Sequence, residues 1–221
     1  MPKPKAFKKS NAGKQIRVCK KASASEAIGK LEKNTDTFIL TYGQFSLMDG
    51  ILAVMDQTGP AHINISTWTA AAADLTRTAE LVGSAEFLSF RMIVDRSFKT
   101  RQPQYYDTMV LYFGQDSIRE INTHAKFVTI RNDEWNVVIR TSMNLNGNPR
   151  LENMEISENK EFAEFFESIV NAVFSEVQPG KQTHEQLELS DIPDSTPFKL
   201  VSAKHIKRGS VNEPRFTHTI E

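Results

Sequence analysis

The sequence has little of what disulfide-bonded, zinc-binding and membrane-spanning proteins require. Cys19 is its one cysteine, which excludes an intramolecular disulfide and a cysteine-rich zinc site. No apolar run reaches ~18 residues, the length needed for a membrane-spanning helix. Lysines lie near the N-terminus, where a secretory signal would need an apolar core. We therefore expect a protein of a reducing, cytoplasmic compartment that does not enter a membrane.

The sequence also lacks the common nucleotide and metal motifs. It contains no P-loop and no GxGxxG after a predicted strand. Four of its histidines show no metal-ligand spacing with one another, namely His62, His184, His205 and His218. Ser46 and Ser142 have no evident partner base beyond His124, which disfavours a serine hydrolase. We expect neither a metal nor an organic cofactor.

Charge is balanced over the whole chain but unevenly distributed along it. Lys+Arg and Asp+Glu both total 27, yet residues 1–30 hold eight lysines and one arginine against the single acid Glu26. Such a composition predicts an arm that is disordered alone, followed by a short helix within 22–33. The arm can follow a nucleic-acid backbone, or serve only as a solubilising tail. We assign residues 1–34 to this arm and helix.

Between residues 35 and 177 the pattern alternates between strands and helices. Strands are predicted at 37–42, 62–68, 86–95, 117–121, in a hairpin beginning near 124, and at 154–156. Helices are predicted at 46–57, 69–82, 103–113 and 161–177, the last with a broad face rich in phenylalanine. This order predicts an α/β domain with a mixed, mainly parallel sheet flanked by helices. Residues 178–221 read as a polar, mostly irregular tail.

In such a sheet, functional residues lie at the carboxyl ends of the strands. Candidates at these positions are Tyr42, Gln44, Thr67, Trp68 and Arg96. Lys99 and Arg101, in a predicted loop, add positive charge. Among these residues we take Gln44, Thr67, Lys99 and Arg101 as candidates for substrate binding.

The stretch 122–153 carries the clearest chemistry. His124 and Lys126 alternate on one side of a predicted strand, and the hairpin returns through Ser142 and Asn144. Two further candidates, Glu152 and Asn153, follow a short loop. A histidine, an ammonium, a hydroxyl, amides and a carboxylate together suit a phosphate site. The alternative is an ordinary amphipathic hairpin whose polar face meets water.

His124-Ala125-Lys126, then Ser142-Met143-Asn144, then Glu152-Asn153 resembles the phospholipase D superfamily signature HxKxxxxD, GSxN and a following acidic residue beside Asn. The sequence departs from it in three ways. Arg131 replaces the signature Asp, Thr141 replaces the Gly, and the hairpin is longer. The resemblance implies the fold of a single phospholipase D repeat, over residues 35–177.

The resemblance also implies a mechanism with two histidines, one attacking phosphorus and one protonating the leaving oxygen. Because this chain carries one signature, it implies a homodimer whose two copies of His124 share a site. Lys126, Ser142 and Asn144 would hold the phosphate, and Glu152 would orient the histidine.

We therefore expect a metal-independent phosphodiesterase, a nuclease acting on DNA rather than a lipase. The arm and the lack of a membrane-binding stretch favour nucleic acid. Two alternatives stay open: a degenerate repeat that binds DNA or a protein without cleavage, and a dimerisation scaffold.

Overall fold

A sheet of eight strands organises the residues that the computed structural model describes, which are 13–19, 23–147, 149–181 and 187. In chain order the strands are β1 (Gly13–Cys19), β2 (Thr35–Thr41), β3 (Ala61–Thr67), β4 (Phe87–Asp95), β5 (Ile118–Ile121), β6 (Phe127–Arg131), β7 (Asn136–Thr141) and β8 (Glu152–Glu158). Across the sheet the order is β1-β2-β8-β7-β6-β3-β4-β5.

The pairing is mixed, as predicted. Within the described strands, parallel pairs lie at the two ends of the sheet, between β1 and β2 and through β3, β4 and β5. Antiparallel pairs join β2 to β8, β8 to β7, β7 to β6 and β6 to β3. The mixed sheet flanked by helices confirms the predicted α/β fold class, but four of the seven described strand pairs are antiparallel, so the expectation of a mainly parallel sheet was wrong. Antiparallel pairing extends beyond the predicted hairpin because β8 inserts between β7 and β2.

Helices cover both faces of the sheet. They are α1 (Ala24–Ile28), α2 (Leu47–Thr58), α3 (Ala72–Gly83), α4 (Ser97–Arg101), α5 (Pro103–Phe113) and α6 (Lys160–Glu176), and a 3₁₀ turn spans Gln115–Ser117. Local signals set their ends. The Ser46 hydroxyl accepts from the Asp49 amide at 3.2 Å to begin α2, and α5 begins on Pro103 and ends at Gly114, whose φ is +74°. Among the described helices, none is long and apolar enough to cross a membrane.

Alternation along the strands divides the buried residues between two cores. Val128 and Ile130 of β6 join the large core beneath α2, α3 and α5. Phe127 points to the other face, where it joins Ile93 and residues of α6. The sheet therefore lies between these two layers.

Strand β1 corrects our prediction for the N-terminal arm. Residues Gly13 to Cys19 pair in parallel with Thr35 to Thr41 at the edge of the sheet. The lysine-rich composition hid the β-branched Ile16 and Val18, and the partner strand β2 follows only after helix α1. The other domain limits stay predictions, since residues 1–12, 182–186 and 188–221 lie outside the described residues.

Candidate functional site

Hydrogen bonds from two strand ends hold the backbone around His124. The Asp95 carboxylate, at the end of β4, accepts from the Thr123 amide at 3.1 Å. The Ser66 hydroxyl of β3 donates to the Ala125 carbonyl at 2.9 Å. We predicted that the strand begins near His124, but β6 begins at Phe127, so His124 lies in an anchored link that precedes the strand.

Lys126 contacts His124 directly. Its Nζ lies 3.3 Å from the imidazole Nδ1 and donates to the His124 carbonyl at 3.1 Å. Burial lowers the pKa of Lys126, and the Glu152 carboxylate acts in the opposite direction. Which of the two groups donates in the contact between Nζ and Nδ1 depends on the His124 tautomer. His124 itself is exposed, so its ring can reach a ligand.

Ser142 and the start of β8 form the facing side. The Ser142 hydroxyl donates to the Glu152 carboxylate and accepts from the Asn153 amide at 3.0 Å. The Ser142 amide donates to the Asn153 carbonyl at 3.2 Å, which continues the pairing of β7 with β8. The hydrogen bond described for Glu152 therefore goes to Ser142, and its orienting role towards His124 stays a prediction.

The loop that carries Asn144 is fastened to the end of β3. The Leu145 amide lies 3.3 Å from both the Thr67 hydroxyl and the Thr69 carbonyl. The Ala71 amide in turn donates to the Leu145 carbonyl at 2.9 Å. Within the described residues, the buried Oδ1 of Asn144 has no hydrogen-bond partner. This oxygen can only accept a hydrogen bond, so a contact from Asn144 to a phosphate oxygen would have to come from its Nδ2 group.

An aromatic residue adjoins His124 from the other side. The Trp68 ring lies 5.6 Å from the imidazole, centroid to centroid, at an interplanar angle of 54°. The Arg101 guanidinium lies 3.8 Å from the Trp68 ring centroid, and its Nη2 donates to the Trp68 carbonyl at 3.1 Å. Arg101 thus reaches the site through Trp68, and it lies on α4 rather than in the predicted loop.

The three further substrate-binding candidates, Gln44, Lys99 and Thr67, contact residues other than His124 and Lys126. Gln44 accepts from the Thr41 hydroxyl at 2.6 Å and lines a separate cavity of about 300 Å³ beside α1 and α2. Lys99 is exposed and lies 4.8 Å from the Tyr106 ring centroid. Thr67 supports the loop that carries Asn144. Of the residues chosen by the strand-end rule, Thr67 therefore lies beside the loop of Asn144, whereas Gln44 lines another cavity.

The two residues that replace signature residues have local structural roles. Arg131 pairs with Glu167 of α6, and its Nε donates to the Asn136 side chain at 3.1 Å. The Thr141 hydroxyl donates to the Asn153 carbonyl at 2.6 Å and accepts from the Met143 amide at 3.0 Å. Arg131 therefore serves the α6 face of the sheet, and Thr141 stabilises the turn into the site.

A cavity of about 560 Å³ lies beside His124. Its lining consists of His124, Ala125, Lys126, Phe127, Arg140, Thr141, Ser142, Asn153, Glu155 and Phe166. Sequence reasoning missed four of these residues, Phe127, Arg140, Glu155 and Phe166. The two phenylalanines read as core, and the pairing of β7 with β8 is not visible in the sequence.

Of the four histidines outside the site, the structure describes only His62. His62 is exposed, and its Nδ1 lies 2.8 Å from the Ser89 hydroxyl. His184, His205 and His218 lie outside the described residues. Over the residues that are described, no group of three or more His, Cys, Asp or Glu is arranged to hold a metal ion.

Comparisons with known proteins find similarity only among solved structures. No protein-family model and no curated protein matches the chain. A polyphosphate kinase from Porphyromonas gingivalis aligns with a TM-score of 0.49 at 10% identity, over 67% of this chain and 27% of that chain. Nuc from Salmonella typhimurium, named as a phospholipase D family member, aligns with a TM-score of 0.47 at 12% identity, over 67% of this chain and 99% of that chain. NucT from Helicobacter pylori gives the same score and identity over 65% and 99%.

These similarities concern the fold. The family named for Nuc is the one that the His124, Ser142 and Glu152 motifs resemble. This chain spans about a quarter of the kinase. Identities of 10–12% with TM-scores below 0.5 carry no argument about activity, substrate or partners.

Proposed function

We propose that this protein is a metal-independent phosphodiesterase that cleaves nucleic acid, most favourably DNA, through a phosphohistidine intermediate. The observation that carries the proposal is the contact between His124 and Lys126, opposite Ser142, at the wall of an open cavity. An imidazole beside an ammonium provides a nucleophile and a positive charge for the phosphate oxygens. We place the protein in the reducing cytoplasm, because it has a single cysteine.

The reaction has two steps. In the first, an imidazole nitrogen of His124 attacks phosphorus, the bond from phosphorus to the leaving oxygen breaks, and that oxygen takes a proton from a second histidine. In the second, this histidine removes a proton from water, the resulting hydroxide attacks phosphorus, and the bond between phosphorus and His124 breaks. Lys126 and Asn144 hold the non-bridging oxygens throughout, with Ser142 and Asn153 beside them.

The second histidine comes from another copy of the chain. No other described histidine lies at this site, since His62 bonds to Ser89 elsewhere on the sheet. A two-fold homodimer would place the partner subunit's His124 opposite the first. Mixing the wild type with His124→Ala, with exchange of subunits, tests this arrangement: in a shared site the heterodimers are inactive, so cleavage falls as the square of the wild-type fraction, whereas independent sites give a linear fall.

The test of the function is cleavage of single- and double-stranded DNA in excess EDTA. We expect cleavage by the wild type, none by His124→Ala, and unchanged cleavage by the matched control His62→Ala, which removes an exposed histidine outside the site. Loss of general acid–base catalysis alone costs ~10²–10⁴-fold, and loss of the nucleophile costs more. Cleavage that EDTA abolishes would refute the mechanism.

A second candidate function is nucleic-acid binding without cleavage. Arg131 motivates it, because this residue replaces the signature Asp and pairs instead with α6. On this alternative neither the wild type nor His124→Ala cleaves, and both bind DNA with an affinity that falls steeply with salt. Removal of the lysine-rich residues 1–12 weakens that binding. Absence of both cleavage and binding would exclude both functions.

A further inference from the structure

The cavity beside His124 has two chemically different ends. His124, Lys126 and Ser142 form a polar end with the groups described above. Phe127 and Phe166 form an apolar end, where their ring centroids lie 4.7 Å apart at an interplanar angle of 56°. A phosphate held by His124 and Lys126 would fill only the first end. The second end therefore suits a group that is attached to the phosphate.

The apolar end is held rigidly. Phe166 lies on α6, where the Phe162 and Phe165 rings pack against it edge-on at 5.0 and 5.6 Å. Phe127 is buried and is the first residue of β6. Phe166 is only half-buried, so its ring is the one that a flat ligand can pack on, and a ring fixed by its neighbours loses little entropy in doing so.

A charged pair borders the aromatic surface. Strand pairing sets Phe127, Arg140 and Glu155 in one row across β6, β7 and β8. The Arg140 guanidinium pairs with the Glu155 carboxylate, and it lies 5.2 Å from the Phe162 ring centroid. In the described part of the chain, the buried Nε of Arg140 has no hydrogen-bond partner. A ligand here meets donors and an acceptor beside an apolar surface.

We infer that this end of the cavity binds the nucleobase next to the scissile phosphate. A nucleobase is flat and aromatic, and its edge carries the acceptors and amino groups that a guanidinium and a carboxylate recognise. A volume of about 560 Å³ falls within the range of ligand pockets. The inference rests on the proposed function only in placing the phosphate at His124 and Lys126.

Equilibrium binding tests the inference without requiring cleavage. Isothermal titration calorimetry compares inorganic phosphate, glycerol 3-phosphate and 2′-deoxyguanosine 5′-monophosphate with the wild-type protein. We expect the nucleotide to bind at least tenfold more tightly than either other ligand. In Phe166→Ala this advantage should fall by about 5- to 150-fold, the range for loss of one base–aromatic stack. Binding of inorganic phosphate should not change.

Two further variants separate recognition from folding. Phe166→Leu keeps an apolar side chain but removes the ring, and we expect it to lose the nucleotide advantage as well. Phe174→Ala removes a half-buried ring of α6 that packs near Arg91 and Arg119, outside the cavity, and should keep the advantage.

The outcomes distinguish this inference from the proposed function. Equal affinity of the wild type for the nucleotide and inorganic phosphate, or for the nucleotide and glycerol 3-phosphate, overturns the inference and leaves DNA cleavage to be judged in EDTA. A nucleotide advantage that depends on Phe166, in a protein that cleaves nothing, supports the inference and refutes the catalytic function. An advantage that survives both Phe166 substitutions overturns the inference.

Discussion

Asp95 is predicted to hold the segment that carries His124 in place. Its side chain is 6% exposed. One carboxylate oxygen accepts from the Ser97 amide at 3.0 Å and from the Ser97 hydroxyl, and the other accepts from the Thr123 amide at 3.1 Å. The first contacts fix the start of α4, and the last fixes the link that carries His124. Asp95→Ala removes all of these acceptors.

The cost follows from the groups left behind. Each backbone N–H that loses its partner while buried costs about 1–3 kcal/mol, so two cost about 2–6 kcal/mol if neither reaches water. Ser97 and Thr123 are only half-buried, so water relieves part of that cost. We expect Asp95→Ala to lower the free energy of unfolding by about 2–3 kcal/mol. A shift of the His124 ring by an ångström would lower cleavage by ~10²-fold as well.

Asp95→Asn separates the two effects. The amide oxygen can keep both contacts to Ser97, which leaves an N–H group facing the Thr123 amide. We therefore expect a smaller loss of stability but faster hydrogen exchange at the Thr123 amide and a similar loss of cleavage. Urea unfolding, amide exchange and DNA cleavage measure the three quantities, with the exposed Asp107→Ala as control. Unchanged Thr123 exchange in Asp95→Ala would refute the reasoning.

Three further predictions concern side chains in or near the site. Trp68→Ala removes the ring that packs against His124 and should lower kcat about 2- to 12-fold with little change in KM, because an aromatic pair contributes ~0.5–1.5 kcal/mol. An effect on KM alone would contradict this. Because burial lowers the pKa of Lys126, phosphate affinity measured by calorimetry should fall as pH rises through a value below that of an ordinary lysine, while Lys126→Arg should move this decline to higher pH. Burial, and after it the hydrogen bond to Glu120, raises the pKa of Tyr106 to about 12. The protonated tyrosine therefore contributes to the free energy of unfolding in full below the unfolded pKa of 10.0, and this contribution is lost as the pH rises to about 12. Tyr106→Phe should lower the free energy of unfolding by about 1.5–3 kcal/mol in urea and remove this alkaline dependence; a variant as stable as the wild type would contradict it.

Elements with local signals could be predicted closely. Helix α5 was predicted from Pro103 to Phe113 and has these limits, because proline suits the first turn and Gly114 adopts a positive φ that ends the helix. Helix α4 was missed, since five residues without a capping side chain give no periodic signal. Strand β1 was missed because its glycine and the lysines in and around it hide the apolar alternation, and its parallel partner β2 follows only after helix α1.

The site could be predicted only in part for a similar reason. The spacing of His124 and Lys126 sets their contact, because residues two apart in an extended segment lie on one side. The return of the chain through β7 and β8 brings Ser142 beside Asn153. The aromatic end of the cavity depends instead on α6 packing over β6, which brings Phe166 to Phe127. No local pattern distinguishes such a ring from the rest of the core.

The position of His124 follows from the topology of the sheet. Strand β5 lies at the edge and β6 lies three positions inward, so the link between them crosses the ends of β4 and β3. Three strand spacings are about 14–15 Å, and six Cα–Cα steps from Ile121 to Phe127 reach about 20–22 Å. The crossing uses about two-thirds of that reach, and six residues of helix would cover only about 9 Å, so the link has no room for a helix. It meets Asp95 at the end of β4 and Ser66 on β3 as it crosses, which sets His124 above the point where parallel pairing gives way to antiparallel pairing.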